Sequence, residues 1–206
     1  SEARASSSSI DWDASPPPSI PRKINVLINP NHKFYYSLLR YLHRFFGLEL
    51  SIMSYDEIND ELIDQFREIV GNAHSITERE VRWAYAFGGT IFEREWIPDL
   101  ILLPRTADEI ARILRLADKR RIPVVPRGSG TSLSGGPMTP YQGIVLDLSR
   151  MNEILKIDVE NSLVKLEPGV ICDDLNETLK PLGYFFPPDP GSSSVATVGG
   201  MVATNA

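Results

Sequence analysis

The sequence carries one cysteine, Cys172, in 206 residues. An intrachain disulfide is therefore impossible, and a cysteine-built zinc cluster is excluded. Only three histidines occur, His32, His43 and His74, and none pairs with another at a metal-ligand spacing; no metal site is expected. No apolar run nears the about 18 residues that cross a bilayer, so no transmembrane segment is expected. The first residues, SEARASSSSIDWDASPPPS, lack the apolar centre of a secretory signal. Positive charge is the minority: 21 Lys and Arg stand against 27 Asp and Glu, a net charge of −6. A duplex binder presents a basic face, so no nucleic acid partner is expected. An acidic chain can still hold an anion on backbone amides. No internal repeat is present. A soluble, reducing compartment follows as the expectation, cytoplasmic, with a membrane-peripheral location as the alternative. The N-terminal Ser in place of Met leads us to expect processing or trimming.

What is present organises into segments. A hydrophobic fraction of 42% supports a core for one large domain or two small ones. Residues 1–23 are rich in Ser and Pro and read as a flexible lead-in. INVLI (24–28) and LELSIM (48–53) read as strands. Between them Phe34, Leu38, Leu42 and Phe45 recur at helical spacing, as do Tyr35, Leu39 and Phe46. This βαβ-like unit belongs to an N-terminal α/β extension at 24–66 with no assigned role. NPNH (29–32) reads as its first turn, a ligand loop being the alternative.

Three pairs, Ser54–Glu57, Ser75–Glu78 and Thr106–Glu109, match the capping box and predict three helix starts. The first helix would turn Ile58, Leu62, Phe66 and Ile69 to one face. The second would cover REVRWAYAF, and the third would turn Ile110, Ile113, Leu114 and Ala117 inward. Lys119, Arg120 and Arg121 suit the negative end of that last helix, and Pro123 stops it. DLILLP (99–104), IPVVP (122–126), GIVLDL (143–148), ILKID (154–158) and SLVKLEP (162–168) read as strands. A further helix is predicted at 171–181, with Ile171, Leu175 and Leu179 inward and Gly183 at its end.

The chemistry concentrates in VVPRGSGTSLSGGPM (124–138). Gly, Ser and Thr fill every position from Gly128 to Gly136 except Leu133. Such a loop turns successive N–H groups toward an anion, and its hydroxyls add donors. Two phosphate loops can be excluded. The P-loop needs a lysine after its second glycine, and here Gly135 is followed by Gly136 and Pro137. The Rossmann fingerprint needs a third glycine where Leu133 stands, and a helix where GIVLDL predicts a strand. A plain Gly/Ser linker is the remaining alternative. A second small-residue loop, PPDPGSSSVATVGG (187–200), argues against it. Three prolines stiffen that loop, and it ends in Gly199–Gly200 before the helix-compatible MVATNA.

PRGSGTSLSGG, GIVLDLSRMNEILKID, LEPGV and PPDPGSSSVATVGGMVATNA occur in this order over residues 126–206. Together they resemble the FAD-linked oxidase family of the vanillyl-alcohol-oxidase or PCMH type. Within it they are most similar to the glycolate oxidase FAD subunit and D-lactate or D-2-hydroxyacid dehydrogenases. The resemblance covers about 68–206 and implies an α+β fold. Two small α/β subdomains cradle FAD, here over 67–206, with the chain stopping before the end of the second. The first would run from Arg67 to Pro126, the second from Arg127. It implies a cofactor site of Pro126, Arg127, Gly128, Ser129, Gly130, Thr131 and Ser132 on the first loop. Pro188, Asp189, Ser192, Thr197, Gly199, Gly200 and Asn205 would form the second stretch. Several relatives attach flavin through a His where this chain has Thr131, so non-covalent FAD is expected. Another departure is YAFGGTIF (85–92), with Gly where relatives place an Asp.

The resemblance further implies oxidation of a small 2-hydroxy acid such as glycolate or D-lactate, with an electron-acceptor protein or partner subunit. The fragment alone is expected to be inactive, and no catalytic residue is assigned. Asp189 reads as a turn residue between prolines; Cys172 and Trp96 read as packing, and His74 as structural. Two alternatives stay open: a non-redox enzyme of the alkylglycerone-phosphate synthase type, and an inert flavin-binding module.

Overall fold

The computed structural model describes residues 23–27, 49–53, 55–89 and 96–205. The chain divides into two compact units, Ser1–Ser54 and Tyr55–Ala206. In the first, β1 (Lys23–Leu27) pairs in parallel with β2 (Glu49–Met53). Parallel neighbours need a crossover, as the βαβ reading requires. The helix expected between them and the NPNH turn lie outside the described residues.

The second unit opens with α1 (Asp60–Val70). Its N-cap is Asn59, whose Oδ1 accepts from the Leu62 N–H at 2.9 Å. The expected Ser54–Glu57 cap is therefore replaced by one that starts the helix later. Phe66 and Val70 lie in the core with the central sheet, so the domain boundary expected between residues 66 and 67 falls inside α1. The second capping box is also overturned. Ser75 belongs to β3 (Ser75–Ile76), opposite Leu102, and its hydroxyl donates to Asn72 O. The helix that follows, α2 (Arg79–Ala84), has no side-chain cap. Sheet pairing outweighs a short local pattern here.

The main sheet has the order β3–β4–β6–β5, with β4 at Leu100–Leu102, β5 at Val124–Arg127 and β6 at Ile144–Asp147. The β4, β5 and β6 strands are mutually parallel, and β3 is an antiparallel edge. Every residue of β4 and β6 is buried, and all but Asp147 at the end of β6 are apolar, as a covered parallel sheet demands. Leu100, Leu102, Ile144 and Leu146 pack with α1 and with α3 (Ala107–Lys119).

In α3 the Thr106 cap holds: its Oγ1 accepts from the Glu109 N–H at 3.2 Å. The Glu109 carboxylate reaches back to the Arg105 N–H at 2.6 Å, one residue earlier than the standard box. Leu114, expected inward, is 45% exposed, and Leu116 packs on the core instead. The resemblance implied a second subdomain from Arg127. The sheet instead keeps β6 between β4 and β5, so the first layer extends to Asp147.

Beyond it, β7 (Ile154–Asp158) and β8 (Leu163–Leu166) form an antiparallel hairpin. It packs on α4 (Cys172–Leu179) through Ile154, Ile157, Val164 and Leu166, against Val170, Leu175 and Leu179. The α4 helix passes into a 3-10 turn, and Gly183 closes it in the left-handed conformation, as expected. Ile171 is half-buried and Cys172 takes the inward place. The last element, α5 (Val198–Thr204), is capped by Thr197 Oγ1 on the Gly200 N–H at 3.2 Å.

Candidate cofactor site

The two loops singled out in the sequence meet. They line a cavity of about 740 Å³. Its wall includes Pro126, Arg127, Gly128, Ser129, Gly130, Thr131 and Ser132 from the first loop, and Ser192, Thr197 and Gly200 from the second. Pro188, Asp189, Gly199 and Asn205 do not line it. Gly199 is small for a packing reason: a Cβ there would lie 2.5 Å from Pro168 Cβ. Asn205 ends α5 at φ +54, and Pro188 O accepts a weak bond from the Cys172 thiol. Sequence reading missed Leu133, Ser134 and Gly136 of the first loop, though they lie within the stretch it picked out. It also missed Met201, four residues after Thr197, and Ala203 and Thr204, three and four after Gly200, which share a helical face with those residues.

Close approach of the loops depends on glycine. A Cβ on Gly128 would fall 2.2 Å from Thr197 Oγ1. Gly130 adopts φ +76, and a Cβ there would meet the Arg127 guanidinium at 2.3 Å. The Ser129 hydroxyl donates across to Val195 O. Ser192 O accepts from the N–H groups of Val195 and Ala196, and Val198 N–H donates to Val170 O at 2.8 Å. The second loop is thus fixed by its own bonds and by the hairpin unit.

The first loop is built differently. No backbone N–H from Gly128 to Gly136 donates to another group among the described residues. Most polar backbone groups that folding draws out of water find partners. A run of free N–H groups beside a cavity is a donor set suited to phosphate oxygens. Arg127 adds positive charge at its base. Burial lowers its pKa from the usual arginine value, and the nearby Tyr85 and Asp147 act in the opposite sense. Among the described residues no cluster of His, Cys, Asp and Glu could hold a metal ion. The Cys172 thiol is buried, and burial first, then Asp173 and Asp189, raises its pKa. It is held as a neutral thiol, not a nucleophile. No described helix is long and apolar enough to cross a membrane.

Residues 98–206 match the family described as FAD binding domain. The chain belongs to that family. Its cofactor class is FAD, and its fold is the α+β, PCMH-type FAD-binding fold of two small α/β subdomains. The chain is 37% identical over 148 residues to the glycolate oxidase subunit GlcD of Bacillus subtilis, covering 72% of this chain and 31% of that protein. It is 33% identical over 157 residues to a D-lactate dehydrogenase of Anaerostipes hadrus, covering 76% and 33%. Over 114 residues it is 45% identical to D-2-hydroxyglutarate dehydrogenase of Escherichia coli, covering 53% and 11%. It therefore spans about one third or less of these relatives.

Among solved structures, an alkyldihydroxyacetonephosphate synthase superposes with TM-score 0.65 at 24% identity, over 74% of this chain and 33% of that one. Substrate-bound p-cresol methylhydroxylase gives TM-score 0.61 at 21% identity, over 69% and 28%. These likenesses show the fold.

Proposed function

We propose that the cavity between the Gly128–Gly136 loop and the 192–204 stretch holds FAD non-covalently, and that the whole protein oxidises a small 2-hydroxy acid to its 2-oxo acid. The observation that carries the proposal is the run of backbone N–H groups along this loop that have no acceptor among the described residues, on the wall of a cavity roomy enough for a flat ligand. Gly128 to Ser132 would offer the pyrophosphate oxygens their backbone N–H groups and the hydroxyls of Thr131 and Ser132, while the Ser129 hydroxyl stays engaged with Val195 O. Arg127 offsets part of the phosphate charge. The apolar wall of Ala196, Met201 and Ala203 excludes water from the flat face of the guest. Thr131 has no ring nitrogen to bond a flavin methyl carbon, which leaves binding to contacts. When bound, FAD supplies the hydride acceptor; the protein supplies placement.

The three relatives reported above are named for glycolate, D-lactate and D-2-hydroxyglutarate. That shared chemistry, a hydroxyl beside a carboxylate, supports the substrate class. The Bacillus relative is named a subunit, which supports a partner subunit or an electron-acceptor protein for this one. The synthase likeness bears on fold, so the redox reading is preferred over an ether-forming or inert one. The test is anaerobic mixing of the full-length, FAD-loaded protein with each of the three acids. Bleaching of the visible flavin bands by one of them is the expected result. FAD binding without bleaching by any 2-hydroxy acid would refute the substrate class.

A further inference from the structure

Among the described residues, the loop that rims the cavity is not held in shape by its own N–H groups. Its conformation depends on a few contacts from outside. One is the Ser129 hydroxyl on Val195 O. Others converge on one short segment, residues 85–89, which follows α2. The Phe87 and Tyr85 carbonyls accept from Arg127 Nη1 at 2.9 and 3.4 Å. The Gly89 N–H donates to Gly130 O at 2.9 Å. Backbone lies directly on backbone here: a Cβ on Gly89 would come within 2.4 Å of Thr131 O.

This segment is anchored in turn. The Tyr85 hydroxyl donates to Asp147 Oδ2 at 2.6 Å. Asp147 ends the central strand β6, is buried, and accepts from the Ser149 N–H through its other oxygen. The Arg127 guanidinium lies 5.1 Å from the centre of the Tyr85 ring. Burial, then the Asp147 bond, raises the Tyr85 pKa above the usual phenol range, so the hydroxyl stays a donor at every working pH.

We propose that Tyr85, Gly89 and Asp147 are positioning residues: a shelf that presets the Gly128–Gly136 loop in its cofactor-accepting shape. None of the three lines the cavity, so they act through Arg127 and Gly130. A loop already ordered before binding loses less conformational freedom when the ligand arrives, and affinity rises accordingly. The inference rests on the reading of this cavity as the FAD site.

Two variants test it, Tyr85→Phe and Gly89→Ala, each with two readouts. The first readout is FAD affinity by quenching of flavin fluorescence, beside the melting temperature of the cofactor-free protein. The second needs no cofactor: chymotrypsin cleavage after Leu133, which is 79% exposed. Tyr85→Phe keeps the ring under Arg127 and removes only the hydrogen bond. It should weaken FAD binding roughly tenfold, the scale of one buried bond to a charged group. Cleavage after Leu133 should quicken by about three- to tenfold, because a looser loop opens more often. Gly89→Ala should do at least as much on both counts.

Unchanged affinity and unchanged cleavage would overturn the inference. So would a lowered melting temperature with affinity and cleavage both as in the parent, since that is a structural role alone. If the parent protein fails to bind FAD while Tyr85→Phe still speeds cleavage, the cofactor reading falls and the shelf stands.

Discussion

Gly128 has no space for a side chain, because Thr197 Oγ1 occupies the place a Cβ would take. Overpacking of this kind costs about 1 to 3 kcal/mol where the neighbour cannot move. Gly128→Ala should therefore weaken FAD binding by an order of magnitude or more. Thr197→Ala removes the α5 cap, at about 1 kcal/mol of stability. In the double variant the clash is relieved, so the two changes should be non-additive, with part of the affinity restored. Titration with FAD of the four proteins checks this. The glycines themselves were visible in the sequence, and a nest for an anion is a sound reason for them. What each one packs against was not visible. Gly128 answers to Thr197, Gly130 to Arg127 and Gly199 to Pro168, residues brought near only by the fold. Gly199 illustrates the limit: it was expected beside the flavin, and its close neighbour is a proline.

At the scale of elements, the S/T-x-x-E pattern located one helix start of three, the Thr106 one. Thr106 caps α3 because nothing else competes for it. Ser75 could not cap, since its backbone pairs with Leu102 and its hydroxyl serves Asn72 O and the Arg67 guanidinium. Asn59→Ala and Thr106→Ala should each lower stability by about 1 kcal/mol in chemical denaturation. Between elements, Arg105 joins the first layer to the hairpin. It donates to Arg150 O at 2.8 Å, to Glu167 at 2.7 Å and to Glu153. Arg150 returns a bond to Leu103 O at 2.6 Å. The Glu153 N–H first, and Arg105 as well, hold the Glu167 pKa below its ordinary value of 4.5. A lowered carboxylate pKa stabilises the fold above its ordinary value, and the stabilisation fades as pH falls through the lowered one. Glu167→Gln should therefore flatten the acid side of the stability profile while leaving its shape above neutrality unchanged. Melting temperature against pH for both proteins checks this. None of these crossing bonds has a local sequence signature; they join residues 45 or more positions apart.

At the scale of the molecule, strand runs such as LIL and IVLD were legible because a sheet buried on both faces needs unbroken apolar stretches. Their order was not legible: β6 enters between β4 and β5, and this moves the first layer past the expected division at Arg127. Ile144 lies fully buried in that central strand, and Ile144→Ala should cost about 2 to 5 kcal/mol in denaturant unfolding. The meeting of the two small-residue loops was anticipated through resemblance, since nothing in their spacing requires them to face one cavity. The central claim is that this cavity holds FAD by contacts alone. The most direct measurement is the visible absorption spectrum of the chain after incubation with FAD and removal of free cofactor, repeated on the supernatant after acid precipitation. The account predicts flavin bands that travel with the protein and then appear wholly in the acid supernatant. A colourless protein after incubation, or flavin that stays with the acid precipitate, would contradict it.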